Sequence, residues 1–316
     1  MLNVLAILTF VLGFVLILKG GELLVDSAVL ISYKTKISPL IIGATLVAIT
    51  TTFPETAVVL LATRGGASDV SITTAIGAMV CNFTIVLGLS FLFMPTVVAP
   101  SSFLSKSLYF GFSIVLLFVL SLDGELGVVD AIILLINITL FFVLNIFEIK
   151  KSGGNQIQEP IKLISEKGWF KIIIDFLVGG FSIGIGAFAL VDNIEIISKL
   201  LGLSEGIVGF VIIAIGTNIP ELVTTISSIK QKNPEVGLGN IFGASILNSS
   251  LLMGIATFVS PMHIMQLENR LMLISTILLL FITFVIVFPI LKNKCSKRWQ
   301  GVVLLLTYVL YTILIF

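Results

Sequence analysis

Long apolar segments, each about the length needed to cross a lipid bilayer, recur along the whole chain. A membrane-spanning helix needs about 20 mostly apolar residues. Ten segments meet this requirement, roughly 4–32, 37–63, 70–94, 106–122, 127–148, 169–198, 204–229, 236–259, 268–291 and 299–316. Only 11% of the 316 residues are charged, against about 25% in a soluble domain. The sequence therefore predicts an all-α polytopic membrane protein with ten transmembrane helices.

Several classes of function are disfavoured by what the sequence contains. The net charge of +1 provides no broad field for nucleic acid. His263 is the only histidine, and Cys81 and Cys295 form no motif, so an imidazole or thiolate metal site is not expected. The sequence has no nucleophile–base pair, HExxH motif or phosphate loop. We expect a membrane transporter rather than an enzyme, with the lipid bilayer as its surroundings, no cofactor and no obligate protein partner.

Basic residues are distributed unevenly between the two sides that ten alternating spans define. Most of the 18 lysines and arginines fall on one side, and the other side collects only Arg64, Lys199 and Arg270. Cytoplasmic loops carry the excess of positive charge in membrane proteins. The pattern therefore predicts a cell-membrane protein whose two termini lie outside and whose polar segment 149–168 is a cytoplasmic linker.

The two halves of the chain, 1–148 and 169–316, align at a constant shift of 166 residues in three separate blocks. Residues 23–32 match 189–198 at five of ten positions, 43–55 match 209–221 at six of thirteen, and 76–82 match 242–248 at three of seven. Each half contains five predicted spans, an odd number, so the second half must enter the membrane from the opposite side. The sequence thus predicts two inverted five-helix repeats, a common plan of secondary transporters whose site lies at the midplane.

Each half carries a Pro-Glu pair in the middle of an apolar span, at Pro54-Glu55 and Pro220-Glu221. Proline removes a backbone donor, so we expect an interrupted helix with freed carbonyls near positions 50 and 216. A carboxylate at the bilayer centre costs at least about 2.5–3.5 kcal/mol, which makes an intramembrane acid a functional candidate. A purely structural role, hydrogen-bonded or protonated, is the alternative.

These acids have oxygen-bearing neighbours at equivalent positions of the repeat. The neutral oxygens come from the hydroxyls of Thr51 and Thr217, the carbonyls of Ala48 and Ala214, and the amides of Asn82 and Asn248. An all-oxygen set favours hard cations, and Ca²⁺ tolerates six to eight ligands in flexible geometry whereas Mg²⁺ requires a tight octahedron. The sequence therefore predicts a midplane Ca²⁺ site.

The blocks GATLVAITTTFPE and GFVIIAIGTNIPELVTT resemble the paired alpha-repeats of the cation/calcium antiporter superfamily. They are most similar to its prokaryotic sodium/calcium exchanger branch, and the resemblance extends over essentially the whole chain. It implies that Glu55 and Glu221 bind Ca²⁺ and share the Na⁺ sites. It further implies cation contacts from Thr51, Thr217, Ala48, Ala214 and Asn82, and that the first helix of each half slides to switch access.

Four departures from the family pattern concern the flanking Na⁺ sites. Asn218 replaces a usual serine, whereas Thr52 keeps a hydroxyl at the equivalent position. Ala78 and Ala244 stand where serine ligands are typical, and Asn248 stands where many prokaryotic members have aspartate. Exchange of Ca²⁺ for Na⁺ is the first hypothesis, and exchange of Ca²⁺ or another divalent cation for H⁺ is the alternative. A passive cation channel or an ion sensor is a third hypothesis.

Overall fold

The computed structural model describes residues 2–65, 68–96, 100–152, 167–200, 218–264 and 266–315. Within these ranges eight helices are long and apolar enough to cross a membrane, and a further apolar helix, Arg298–Leu314, is shorter. The predicted helical class is therefore confirmed. The predicted span 204–229 lies partly outside the described residues, and only its second half is seen as a helix.

The elements follow one another in a simple order. The first half contains α1 (Leu2–Thr35), α2 (Pro39–Ile42), the π-helical segment π1 (Gly43–Val47), α3 (Ala48–Arg64), α4 (Ser68–Cys81), π2 (Asn82–Val86), α5 (Leu87–Phe93), α6 (Pro100–Leu120), strand β1 (Glu125–Leu126) and α7 (Val128–Ser152). The second half contains α8 (Trp169–Leu200), α9 (Ile219–Lys230), α10 (Pro234–Ile246), π3 (Leu247–Leu252), α11 (Met253–Val259), strand β2 (Met262–His263), α12 (Gln266–Asn293) and α13 (Arg298–Ile315).

Equivalent elements of the two halves begin and end about 166 residues apart. Helices α5 and α11 correspond residue for residue, and π2 and π3 interrupt equivalent helices at equivalent places. A π-turn widens the backbone locally and often marks a functional site. The repeated sequence thus produces repeated local structure, including its irregularities.

Helices α1 and α8 pack on each other along much of their length. Gly13 faces Gly186, and Gly20 faces Gly179, each at the backbone of the other helix. Small residues allow this close approach between membrane helices. Moving along α1 from Gly13 to Gly20, the facing residue in α8 moves backwards from Gly186 to Gly179. The two helices therefore run antiparallel.

The centre of the molecule is formed by the helices that contain π2 and π3. In an 18-residue apolar stretch of each span, 78% of the residues are buried in Ser71–Phe93 and 83% in Pro234–Val259, against 28% in α1. An aromatic cluster fixes this centre, because Phe83 stacks on Phe110 with ring centroids 4.2 Å apart and meets Phe242 edge-on at 5.1 Å. The two π-segments are therefore enclosed by other helices.

Two short strands join the loops that follow α6 and α11. Glu125 pairs with His263 and Leu126 with Met262 in antiparallel register. The side chain of His263 is exposed and lies 3.2 Å from the Glu125 carboxylate. The sequence analysis missed this pairing because two-residue strands have no recognisable periodicity.

Candidate cation-binding site

Glu55 and Glu221 lie next to each other in the interior of the protein. Glu55 is 1% exposed and Glu221 is fully buried, and the two carboxylates are close enough for their charges to interact. Glu221 lies in the first turn of α9, directly after Pro220, with Asn218 as the N-cap residue. A helix N-terminus favours negative charge. The fold therefore brings the two repeated acids together.

The predicted interruption near position 50 is wrong for the first half. Helix α3 runs continuously from Ala48 to Arg64 with Pro54 inside it. The irregular backbone lies earlier, in π1, where the amide of Ala48 reaches back to the carbonyl of Gly43. This irregular backbone lies about two to three turns before Pro54, and the helix continues through the proline. The residues before Asn218, including the predicted break at 216, lie outside the described residues.

Many of the buried polar atoms around this pair have no hydrogen-bond partner among the residues that the structure describes. Glu55 Oε1 and both carboxylate oxygens of Glu221 are buried without a hydrogen bond from any described residue. The same is true of both amide atoms of Asn82, of Asn248 Oδ1 and of Thr52 Oγ1. Neither glutamate forms an ion pair with a described lysine or arginine. A buried charge without compensation is strongly unfavourable, so the pair requires either a bound cation or protonation.

Asn248 was predicted to contribute its amide oxygen, and in the structure its amide nitrogen is used as well. Its Nδ2 donates to Glu55 Oε2 at 2.9 Å, across 193 residues of sequence. Its Oδ1 is the atom left without a partner. Asn248 thus orients one glutamate oxygen and still presents an acceptor.

Thr51 lies at the junction of the two halves. Its hydroxyl donates to Asn240 Oδ1 at 3.0 Å and makes a longer contact of 3.3 Å with the carbonyl of Ala48. The Thr51 hydroxyl also lies near the Glu221 carboxylate, which competes with Asn240 for its single hydrogen.

The remaining predicted ligands follow from the packing of the two halves. Segment π2, which carries Asn82, packs on α9, and π3, which carries Asn248, packs on α3. Thr52, Asn82 and Asn218 are all buried. Thr217 and Ala214 lie outside the described residues. Each half thus places an amide-bearing segment against the glutamate helix of the other half.

The sequence analysis missed Asn240. This residue is fully buried in α10, accepts from Thr51 and donates from Nδ2 to Thr224 at 2.9 Å. The available signal was an amide in the middle of an apolar span, but no pattern indicated its partners. Ala78 and Ala244, the two departures from the family pattern, are buried in α4 and α10 and bring no side-chain oxygen.

Comparison with known proteins identifies relatives along most of the chain. The profile of the family described as sodium/calcium exchanger protein matches residues 5–147 and 171–316. The sodium/calcium exchanger MaX1 of Methanosarcina acetivorans is 28% identical over 98% of both chains. The inner membrane protein YrbG of Escherichia coli is 31% identical over 81% of both chains.

Solved structures extend the likeness to three dimensions. The structure of the sodium-calcium exchanger NCX_Mj soaked with 100 mM Na⁺ and 10 mM Sr²⁺ superposes with a TM-score of 0.82 at 25% identity, covering 98% of both chains. Its structure soaked with 2.5 mM Na⁺ and 0.1 mM Ca²⁺ gives 0.80 at 26% identity. The chain therefore belongs to the sodium/calcium exchanger family of multi-pass membrane transporters.

Proposed function

We propose that this protein exchanges Ca²⁺ for Na⁺ across the cell membrane by alternating access, through a midplane site formed by Glu55 and Glu221. The observation that supports this most directly is the glutamate pair itself. Three of its four carboxylate oxygens are buried without a partner among the described residues. A single Ca²⁺ ion would balance both charges and take up these oxygens.

The surrounding groups fit a hard divalent cation. Ca²⁺ takes six to eight oxygen ligands. Besides the carboxylates, the proposed site takes neutral oxygens from Thr51, Thr217, Ala48, Ala214, Thr52, Asn218, Asn82 and Asn248. In this proposal Ca²⁺ and Na⁺ compete for the same carboxylates, so both ions cannot be bound there at once. That competition couples the two fluxes.

Alternating access follows from two inverted five-helix repeats, 1–148 and 169–316, joined by the linker 149–168. Two features support this arrangement: the antiparallel crossing of α1 and α8, and the reciprocal packing of π2 on α9 and of π3 on α3. In our proposal α1 and α8 move across the site when it is occupied. The distribution of basic residues supports termini outside and a cytoplasmic linker.

The test is uptake of radioactive Ca²⁺ into proteoliposomes under an outward Na⁺ gradient. We expect Glu221→Gln to abolish uptake nearly completely, because an amide neither carries the charge nor offers two anionic oxygens. Glu22→Gln is the control, since Glu22 is an exposed acid of α1 that pairs with Lys19 at 3.0 Å. Wild-type uptake by Glu221→Gln would refute the proposed site.

The same assay separates the alternatives. The buried Ala78 and Ala244 remove two side-chain oxygens expected for Na⁺, which favours H⁺ as the second candidate coupling ion. Uptake driven by an outward H⁺ gradient and not by Na⁺ would support a proton-coupled exchanger of Ca²⁺ or another divalent cation. Uptake with no requirement for an ion on the opposite side would indicate a passive channel, and no uptake of any divalent cation would favour an ion sensor.

A further inference from the structure

A buried relay of hydrogen bonds joins the two halves beside the glutamate pair. Thr51 donates to Asn240 Oδ1 at 3.0 Å, and Asn240 Nδ2 donates to Thr224 Oγ1 at 2.9 Å. Thr224 donates in turn to the carbonyls of Pro220 and Glu221, at 2.9 and 3.0 Å. The side chains of Thr51, Asn240 and Thr224 are all fully buried. The relay therefore links the first-half helix α3 to the second-half helix α9 through α10.

The bonds of the relay all run in one direction. A threonine hydroxyl has one hydrogen and two acceptor lone pairs. Thr224 gives its hydrogen to the backbone of its own helix and accepts from Asn240 Nδ2. The amide oxygen of Asn240 then faces Thr51, which donates to it.

This direction decides what Thr51 offers to a cation. Thr51 lies one turn before Glu55 on α3, so the two side chains share a face of that helix. With its hydrogen given to Asn240, Thr51 keeps its lone pairs for a cation beside Glu55. If Asn240 were free to turn, the hydrogen of Thr51 would rotate to the Glu221 carboxylate, whose two oxygens have no described partner. Thr51 would then be a donor at the place where a ligand is needed.

We propose that Asn240 and Thr224 are positioning residues that hold Thr51 as an acceptor, and thereby as a ligand for a hard divalent cation such as Ca²⁺. This inference rests on the proposed function of the glutamate pair. The relay belongs to one side of the site, because Thr224 and Asn240 correspond in the first half to Val58 and Thr74. Valine has no hydroxyl, so the first half cannot form an equivalent chain.

The experiment removes one hydroxyl without changing the shape of the side chain. Thr224→Val deletes the group that orients Asn240, and we expect the Ca²⁺ concentration for half-maximal uptake to rise about tenfold. The maximal rate should stay within about twofold of wild type. Thr224→Ser keeps the hydroxyl and should restore the wild-type value.

The matched control is Thr225→Val on the same helix. Thr225 is 1% exposed, and its hydroxyl has no hydrogen-bond partner among the described residues. Removing it should leave the Ca²⁺ dependence unchanged. The increase in unfolding temperature that Ca²⁺ causes in detergent gives a second readout that does not require transport. Thr224→Ala replaces Thr224→Val if the valine variant does not fold.

Three outcomes separate this inference from the proposed function. A raised half-maximal concentration and a smaller Ca²⁺-induced thermal shift in Thr224→Val alone would support the relay. Equal values for Thr224→Val and Thr225→Val would overturn it, and the proposed function would still stand if Glu221→Gln abolishes uptake. Wild-type uptake by Glu221→Gln would overturn both.

Discussion

The crossing of α1 and α8 can be tested by adding a single methyl group. In Gly20→Ala the new Cβ would lie 2.7 Å from the carbonyl oxygen of Gly179 and 2.9 Å from Cβ of Ser182. Carbon atoms prefer separations of about 3.5–4.0 Å. Since the first of these neighbours is backbone, relief requires the two helices to move apart.

The size of the effect follows from two opposing contributions. Overpacking a well-packed interior costs about 1–3 kcal/mol, whereas replacing glycine by alanine inside a helix gains about 0.5–1 kcal/mol. From the midpoints of these two ranges, the net loss in free energy of unfolding for Gly20→Ala is about 1 kcal/mol. Gly186, the repeat equivalent of Gly20, would place its Cβ 2.5 Å from the carbonyl oxygen of Gly13. Gly186→Ala should cost a similar amount.

Gly184→Ala provides the control within α8. A Cβ at Gly184 meets nothing within 4 Å, so only the helix-propensity gain remains. The free energy of unfolding would be measured by titrating mixed micelles with sodium dodecyl sulfate while following tryptophan fluorescence. We expect Gly184→Ala to be at least as stable as wild type and both crossing variants to be less stable. If Gly20→Ala matched Gly184→Ala, the close approach of the two helices would be refuted.

Two further predictions concern other parts of the fold. Lys106 is almost fully buried and its Nζ lies 2.6 Å from Glu148 Oε2. Lys106→Met should lower the free energy of unfolding by about 3 kcal/mol in the same titration, and the double variant Lys106→Met/Glu148→Leu should recover most of this loss. A Lys106→Met variant as stable as wild type would contradict this prediction. Cys295 is half-buried in the loop between α12 and α13, whereas Cys81 is buried. A membrane-impermeant maleimide should label Cys295 from the cytoplasmic side only. Cys81 should stay unmodified in the folded protein. Labelling of Cys295 from outside would overturn the proposed orientation.

The helices and the glutamate pair were predictable because a lipid bilayer restricts both the backbone conformation of a spanning segment and the positions of its charges. Backbone groups must be satisfied within each spanning segment, so apolar length alone locates helices such as α7 and α12. A charge in such a segment is costly, so the sequence alone identified Glu55 and Glu221 as candidate functional residues. The constant shift of 166 residues then indicated that the two acids belong to one site.

The details of the site were not predictable, because they depend on contacts between distant parts of the chain. Thr51 and Asn240 are 189 residues apart in sequence and 3.0 Å apart in space. Proline suggested a break at the wrong place, since α3 continues through Pro54 and the irregular backbone lies in π1. Whether Asn248 donates or accepts depends on which way its amide faces, and sequence carries no information about that direction.

The two halves supply equivalent positions but unequal chemistry, and this inequality bears on how one site could serve two ions. Glu55 has one oxygen held by the amide of Asn248, whereas the polar side chain beside Glu221 is the Thr51 hydroxyl, which gives its hydrogen to Asn240. The relay through Asn240 sets the direction of Thr51 beside Glu221. The unpaired carboxylate and the oriented hydroxyl therefore lie on the same side of the pair. A divalent cation placed between the acids would gain most from that side, and the amide bonded to Glu55 partly compensates the other charge. In a carrier built by repetition, such differences outside the repeated motif are where preference between ions can arise.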